Sequence, residues 1–437
     1  MTRIGCPAAL LASIVTTCLA CDAPLPTIPP DRAGQTSVSE AATSSVAATT
    51  SSLRRTSWPS SSASSRSETT NSPSVSRDAG SSTGSSSSRG SVTSATESSA
   101  TSMPEPSLDA SFDSGACLHA DAGATPPSCA PGGPGMTNCG ACDESCCTTL
   151  LVPGGDYSRT YDLTDGGYPD FPDGGNATGE ADPASVSSFR LDKYVVTVGR
   201  FRQFVEAWSQ GTGYIPAPGS GKHTHLNGGN GLVDSAVMGG YEPGWVASDD
   251  TSVSPTSANL DCLRGYSTWT SLVEANENLP INCVEWQEAF AFCIWDGGFL
   301  PSEAEWEYAA AGGEEQREYP WGTAAPDNQY AIYGCDFPSG SGLCSGIANL
   351  PAVGTARRGA ARWGHLDMAG EVYQWTLDWY AAYVDPCVDC AFASDGSNRV
   401  IRGGYFAYDG TYLLPSNRGN FPPSRVSGVG FRCARVP

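Results

Sequence analysis

Apolar and polar positions alternate with clear periods only in the C-terminal two thirds of the chain, where they predict three helices. The first is capped by Thr197 and carries apolar residues at the i, i+3, i+4, i+7 spacing of a helix: Phe201, Phe204, Val205 and Trp208. A second apolar stripe runs from about 284 to 296. The third helix opens with a capping box made by Ser302 and Glu305 and ends at Gly312.

The other apolar positions fall in short runs between Gly, Pro and Asn turns. Two of these runs, 399–406 and 428–436, have the composition of β-strands. No repeat of regular period is visible. Few helices, short strands and much irregular backbone predict an α+β domain over 148–437.

The N-terminus has the pattern of an export signal over residues 1–20. Arg3 supplies a basic start, and an apolar run too short to cross a bilayer follows. Ala20 precedes Cys21 in an arrangement similar to a bacterial lipobox, which makes Cys21 a candidate for lipidation. We expect an exported protein, either an outer-membrane lipoprotein or a secreted or periplasmic one, with membrane contact through a lipid anchor alone.

Residues 21–116 are rich in Ser and Thr and poor in apolar side chains. Such a segment cannot bury a core, so it is predicted to be a disordered stalk that acts as a spacer. The formal net charge of the chain is −22, which argues against a nucleic-acid partner.

Cysteine usage also indicates export. Fourteen of the 17 cysteines lie beyond Cys21, an even number that favours a disulfide framework. Six of them crowd into the segment 117–147: Cys117, Cys129, Cys139, Cys142, Cys146 and Cys147. Disulfides are the favoured interpretation of this segment, zinc is the alternative, and the connectivity is left open.

Five blocks in the C-terminal region resemble, in order, the formylglycine-generating enzyme or sulfatase-modifying factor domain. They are FRLDKYVVTVGRFRQFV (189–205), PINCVEWQEAFAFCIWDGGFLPSEAEWEYAAAGG (280–313), YPWG (319–322), GHLDMAGEVYQWTLDWY (364–380) and RVIRGG…GFRCAR (399–435). The resemblance covers nearly all of 150–437. It implies a fold similar to that of C-type lectins, low in regular structure and held by cores, disulfides and bound calcium.

The resemblance also implies a bridge between Cys293 and Cys433. Cys335 and Cys344 flank a short Gly/Ser-rich segment, and Cys387 with Cys390 forms a C-x-x-C. The remaining two, Cys262 and Cys283, are paired by elimination. A redox-active C-x-x-C is the alternative, although no helix start or basic neighbour is present to lower a thiol pKa there.

Calcium is the cofactor that the resemblance implies. The family's ligands carry over to the side chains of Asp367 and Gln374 and to the carbonyls of Gly370 and Val372. Gln374 stands where the family usually has Glu, so one negative charge is lost and a lower affinity is expected. A second calcium site would begin at Asn349 and Leu350, but the segment that carries its other ligands is shortened here.

The candidate metal ligands Asp367, His223 and His225 each have an alternative interpretation. Asp367 has the alternative role of a turn or cap residue. His223 and His225 form an H-x-H that would share one face of a strand and bind a metal, whereas the flanking Gly and Asn residues favour a loop.

The family's oxidase chemistry converts a substrate cysteine thiol to an aldehyde with oxygen and a copper(I) ion held by two cysteines. At the corresponding positions this chain has Tyr408 and Leu413, and no cysteine lies between Cys390 and Cys433. A cuprous ion needs soft thiolate ligands, so copper is not expected. Whether the protein is an enzyme stays open. The alternatives are an oxidoreductase of the formylglycine-generating type, active in sulfatase maturation, or a divergent enzyme on the same fold.

The interpretation favoured by these residues is a non-catalytic binding or structural module. A surface around 405–418 is rich in side chains that stack on and hydrogen-bond a glycan or peptide: Tyr405, Tyr408, Tyr412, Asn417 and Arg418. The alternative is that several of these tyrosines pack inward.

Overall fold

The computed structural model describes residues 125–161, 180–340 and 342–437. The predicted signal peptide, the lipidation site Cys21, the Ser/Thr-rich stalk and Cys117 lie outside the described residues. No helix in the described ranges combines the length and the apolar character that crossing a bilayer requires.

The described ranges contain four α-helices: α1 (Val198–Trp208), α2 (Ser257–Leu260), α3 (Trp286–Trp295) and α4 (Glu303–Ala311). The three predicted helices are confirmed as α1, α3 and α4. Thr197 caps α1 by accepting a hydrogen bond from the Arg200 backbone N–H. The reciprocal capping box of Ser302 and Glu305 opens α4. These starts form as predicted because the residues that specify them are local in sequence.

The described strands are short. In chain order they are β1 (Thr149–Val152), β2 (Gly155–Thr160), β3 (Ala181–Val186), β4 (Phe189–Asp192), β5 (Val233–Asp234), β6 (Tyr373–Trp379), β7 (Cys387–Val388), β8 (Cys390–Ala391), β9 (Arg399–Arg402), β10 (Arg418–Phe421), β11 (Val429–Gly430) and β12 (Ala434–Arg435). They form sheets with the strand orders β1-β4-β12, β10-β9-β6-β11, β2-β3-β7 and β5-β8. This mixture of helices, small sheets and irregular backbone is an α+β fold.

The single strand predicted over 428–436 is wrong. β11 pairs with β6 in one sheet, whereas β12 pairs with β4 in another. The residues between them cross from one sheet to the other. The Val196 N–H donates to the Phe431 carbonyl (2.9 Å), and Cys433 is bonded to Cys293. These tertiary attachments outweigh the local preference for one continuous strand.

The largest hydrophobic cluster lies where α1, α3 and the C-terminal crossing segment meet. The rings of Phe201 and Phe292 are 5.7 Å apart, and those of Phe292 and Phe431 are 5.3 Å apart. All three side chains are fully buried. Aromatic side chains bury more area than any others, so these rings supply much of the stabilisation of this core.

The cysteine-rich segment packs on this domain through disulfides and hydrogen bonds. Within its described residues, Cys129 is bonded to Cys147 and Cys139 is bonded to Cys146. The Ser128 N–H donates to the Asp296 carboxylate at 2.9 Å, and the Arg200 guanidinium donates to the Cys146 carbonyl at 3.1 Å. Zinc is wrong for these four cysteines, because a sulfur bonded in a disulfide is not a thiolate ligand.

Four more disulfides join the cysteines of the globular region. They are Cys262–Cys283, Cys293–Cys433, Cys335–Cys344 and Cys387–Cys390. These are the pairs that the sequence and the family resemblance imply. The Cys293–Cys433 bridge spans 140 residues and fastens α3 to the segment between β11 and β12.

Candidate functional site

The R-G-G sequence at the end of β9 holds a tightly packed loop in place. Gly404 has a φ of +79°, a left-handed conformation that favours glycine. A Cβ added at Gly404 would lie 2.7 Å from the carbonyl oxygen of Tyr412. Only glycine therefore allows the turn of 410–413 to pack this closely against the end of β9.

Arg402, directly before these two glycines, connects the same loop to α4. Its guanidinium is fully buried and donates to Glu303 (2.5 Å) and Glu307 (2.9 Å) of α4. It also donates to the Pro415 carbonyl at 2.9 Å. Arg402 thus connects α4, β9 and the segment that follows the tyrosines.

Arg418 does not belong to the predicted ligand surface. Its guanidinium donates two hydrogen bonds of 2.7 Å to Glu303, and only 3% of its side chain is exposed. A buried cation bonded in this way is held as a partner of α4 and is turned away from a ligand at the surface. Asn417 is half-buried, and its carbonyl accepts a hydrogen bond of 3.3 Å from Arg402.

Tyr405, Tyr408 and Tyr412 form a contiguous group, the tyrosine patch. The rings of Tyr405 and Tyr408 meet edge to face at 5.6 Å, and those of Tyr408 and Tyr412 lie 4.8 Å apart. Tyr405 and Tyr408 are half-buried, and Tyr412 is 38% exposed. The alternative of inward packing holds in part, because Tyr405 and Tyr408 also line the core.

The hydroxyl groups of Tyr405 and Tyr408 stay protonated at neutral pH. Burial raises the pKa of Tyr405, with a smaller contribution from Tyr266. Burial also raises the pKa of Tyr408, and Tyr412 adds to the effect. Neutral phenol groups both donate and accept hydrogen bonds, which suits the recognition of a polar, uncharged ligand.

Leu413, which follows Tyr412 in the chain, lies in a small apolar cluster. It is 1% exposed and groups with Ala331 and Ala369, against which half-buried aromatic side chains pack: Tyr319, Trp321 and Tyr333. Neither Leu413 nor Tyr408 carries a sulfur atom. The position that the resemblance assigns to the copper-binding thiolates is therefore filled by an apolar side chain and an aromatic one.

Asp367 and Glu371 place two buried carboxylates in the loop before β6. One oxygen of Asp367 accepts a hydrogen bond of 2.7 Å from the Gly354 N–H. Glu371 is 1% exposed, and within the described ranges neither of its carboxylate oxygens has a hydrogen-bond partner. Sequence reasoning missed Glu371, because nothing local shows that its carboxylate is enclosed without a partner.

The charges of these two residues influence each other. Burial raises the pKa of Glu371, and the charge of Asp367 raises it further. Burial also raises the pKa of Asp367, to about 6, although the charge of Arg432 acts in the opposite direction. Such a pair is costly to keep ionised without a cation, and an oxygen-rich loop of this kind fits calcium.

Both polar atoms of the Gln374 side chain form hydrogen bonds within the protein. Its amide oxygen accepts hydrogen bonds from the Trp306 indole (2.8 Å) and from Arg432 (2.7 Å), which use both of its lone pairs. Its NH₂ group donates to the Asp367 carbonyl at 2.7 Å. These hydrogen bonds of Gln374 therefore stabilise the loop that carries Asp367 and Glu371, the carboxylate loop.

Both polar atoms of the Asn349 side chain also form hydrogen bonds within the protein. Its side-chain oxygen accepts from the N–H and the hydroxyl of Ser345, and its NH₂ group donates to the Cys335 and Phe337 carbonyls. Leu350 is buried and its N–H donates to the Ile347 carbonyl. These contacts assign Asn349 to the closure of its own loop.

The H-x-H metal site is wrong for His223. This ring is fully buried in a loop. Its Nδ1 lies 3.0 Å from the Glu242 carboxylate, and its Nε2 lies 3.0 Å from the Glu305 carboxylate. Burial alone would lower the pKa of His223, but the charges of Glu305 and Glu242 outweigh it and raise the pKa to about 10. No nitrogen of His223 is free for a metal, and His225 is half-buried beside it. No three His, Cys, Asp or Glu side chains of the described ranges form a metal-binding group.

The C-x-x-C disulfide is enclosed. Cys387 is 1% exposed and Cys390 is 6% exposed. Asp389 between them accepts hydrogen bonds from the N–H and the hydroxyl of Ser187, both 2.7 Å long. The disulfide joins β7 to β8, and the Asp389 hydrogen bonds attach this turn to Ser187, directly after β3.

Comparison with known proteins yields relatives named as enzymes and relatives named as inactive. Formylglycine-generating enzyme from Thermomonospora curvata is 32% identical over 309 residues, which cover 66% of this chain and 93% of that protein. Inactive C-alpha-formylglycine-generating enzyme 2 from Mus musculus is 28% identical over 286 residues, 61% of this chain and 80% of that protein. Among solved structures, PvdO from Pseudomonas aeruginosa matches 70% of this chain and 100% of its own length, with 20% identity and a TM-score of 0.43.

The R-G-G loop, the carboxylate loop and the Cys293–Cys433 bridge all lie within the part of the chain that matches a known family model. That model, the sulfatase-modifying factor enzyme 1-like domain, matches residues 137–437. The chain belongs to the sulfatase-modifying factor domain family.

Proposed function

We propose that this is an exported surface protein whose sulfatase-modifying-factor-like domain is non-catalytic and binds an extracellular glycan or peptide. The observation that carries the proposal is the pair Tyr408 and Leu413. Tyr408 is half-buried in the tyrosine patch, and Leu413 is buried in an apolar cluster. Neither side chain binds a cuprous ion or exchanges a disulfide, so the family's oxidase chemistry lacks its ligands.

The tyrosine patch is the proposed binding surface. Tyr412 offers an exposed ring, and Tyr408 supports that ring from a centroid distance of 4.8 Å. A ring held by its neighbour loses little entropy when a ligand stacks on it. Since Arg418 is bonded to Glu303, recognition would rest on rings and hydroxyl groups and not on ionic contacts.

Similarity to a protein named inactive supports a role without oxidation. The family includes members named as enzymes and members named as inactive. The chain shares the fold with both groups, so the site residues decide between them. Those residues favour the inactive group.

The proposal also includes export of the protein and display of its domain at the cell surface. The lipobox-like Cys21 would be lipidated, and the stalk of 21–116 would hold the domain away from the membrane. A Cys21→Ser variant is expected to move from the membrane fraction to the soluble fraction. Equal membrane retention of the two proteins would contradict lipid attachment at Cys21.

Binding is tested by screening the full chain against a glycan array and a peptide library. Tyr412→Ala should weaken the strongest interaction by about tenfold, the equivalent of about 1.4 kcal/mol. Tyr241→Ala is the matched control, because Tyr241 is also an exposed tyrosine (43%) and lies outside the patch. Equal effects of the two substitutions, or no binding on either array, would contradict the proposal.

A further inference from the structure

We propose that the carboxylates of Glu371 and Asp367 together bind one calcium ion in the loop before β6, with Glu371 supplying the negative charge that Gln374 lacks. This inference is independent of the proposed ligand binding by the tyrosine patch. It assigns a metal-binding role to Glu371, a residue outside the ligand set that the family resemblance implies.

The first support is the enclosure of Glu371. Its side chain is 1% exposed, and neither carboxylate oxygen meets a hydrogen-bond donor within the described ranges. A buried ionised carboxylate is very costly unless it is paired or coordinates a metal. A cation satisfies both oxygens at once.

The second support is the way the loop is fixed. The Glu371 N–H donates to the Ile332 carbonyl (2.7 Å), and the Glu371 carbonyl accepts from the Phe406 N–H (3.1 Å). The preceding Gly370 N–H donates to the Gly403 carbonyl at 2.7 Å. These bonds hold the backbone of Glu371 in the interior, so its carboxylate cannot reach water by a simple shift of the loop.

The third support is that none of the hydrogen bonds of Arg432 reaches the Glu371 carboxylate. Arg432 is fully buried, and its guanidinium donates to Gln374 and to the carbonyls of Asp192, Lys193, Leu366 and Asp367. Every nitrogen of this guanidinium is thereby occupied by an oxygen atom other than those of Glu371. The Arg432 side chain shapes the loop and leaves the carboxylate open to another cation.

The chemistry of the donors selects the metal. Asp367 and Glu371 offer carboxylate oxygens, and the neighbouring carbonyls of Gly370 and Val372 are the main-chain ligands that the family resemblance implies. The loop offers no thiolate, and its donors are all hard oxygen atoms, which calcium prefers. Glu371, three residues earlier, supplies the negative charge that Gln374 lacks.

The experiment uses the full chain, freed of metal with a chelator and then titrated with calcium alone. Calorimetry should detect about one tight calcium ion per chain, and the melting temperature should rise with calcium concentration. Glu371→Gln should weaken this binding by at least about tenfold and abolish the thermal shift. Glu314→Gln is the matched control, since the Glu314 side chain is 78% exposed, and it should behave as the wild type.

A measurement without metal separates a ligand from a structural residue. In chelator, Glu371→Gln should melt at the same temperature as the wild type or higher, because the amide removes a buried charge without changing the shape. If that variant fails to fold, Glu371→Asp decides: its shorter carboxylate should bind calcium more weakly than the wild type. Absence of tight calcium binding by the wild type, or unchanged binding by the Glu371 variants, would overturn the inference.

Discussion

Arg402 and Glu303 form a buried ion pair that ties the end of β9 to the first residue of α4. The guanidinium nitrogen and the carboxylate oxygen are 2.5 Å apart, and their side chains are 0% and 5% exposed. Burial alone would raise the pKa of Glu303, but Arg418 and Arg402 outweigh it and hold the pKa at about 2. The R-G-G segment that characterises the family in this chain is therefore also an electrostatic anchor of the fold.

Replacing Arg402 by Met should lower the free energy of unfolding by about 3–5 kcal/mol, because it leaves the buried Glu307 carboxylate without its ion-pair partner and leaves Glu303 with Arg418 alone. Chemical denaturation measures the loss. Arg317→Met is the control: the Arg317–Glu315 pair is 21% and 40% exposed and should contribute less than about 1 kcal/mol. Similar losses for the two variants would show that the Arg402 pair has no special role.

Two disulfides with very different loop lengths should differ in their contribution to stability. Cys293–Cys433 closes a separation of 140 residues and Cys335–Cys344 one of 9. Chain entropy then predicts losses of about 5 and about 2.5 kcal/mol for the respective double alanine variants. Denaturation of both variants under non-reducing conditions provides the comparison, and a larger loss for the short loop would contradict it.

His223 should make stability depend on pH in a defined direction. Its pKa rises from 6.5 in the unfolded chain to about 10 in the fold, where it lies between Glu305 and Glu242. The stabilisation is complete below pH 6.5 and is lost as the pH rises toward 10. The stability difference between the wild type and His223→Gln should therefore shrink by about 3 kcal/mol from pH 6.5 to pH 9.

His225→Gln is the control for this titration. Burial lowers the pKa of His225, so its contribution should not fall over the same range. A pH-independent difference for His223→Gln would show that the imidazole is neutral between its two carboxylates.

Local sequence signals predict the helix starts, and the family resemblance implies the Cys293–Cys433 bridge, but neither predicts the state of the site. Ser302 and Glu305 specify the start of α4 within four residues, so the sequence alone suffices there. Sequence reasoning places Arg418 at the surface, because its partner Glu303 lies 115 residues earlier in the chain. Glu371 was missed because enclosure without a hydrogen-bond partner is a tertiary property.

If Tyr408 and Leu413 occupy the places of the copper-binding cysteines, restoring both should restore copper binding. The Tyr408→Cys/Leu413→Cys variant should bind one cuprous ion per chain under reducing conditions, because two thiolates suit this soft ion. The wild type and the two single variants should bind far less. Metal analysis after gel filtration measures the ratio, and equal copper content in all four proteins would contradict the assignment of these positions.

The absence of oxidase activity is the central claim, and one reaction tests it most directly. The purified full chain is incubated with copper(I), oxygen and a sulfatase-type cysteine peptide, with the Thermomonospora curvata formylglycine-generating enzyme as the positive control, and the peptide is examined by mass spectrometry. We predict that the peptide keeps its thiol with this chain and is converted only in the control. Conversion of the cysteine to the aldehyde by this chain would contradict the account.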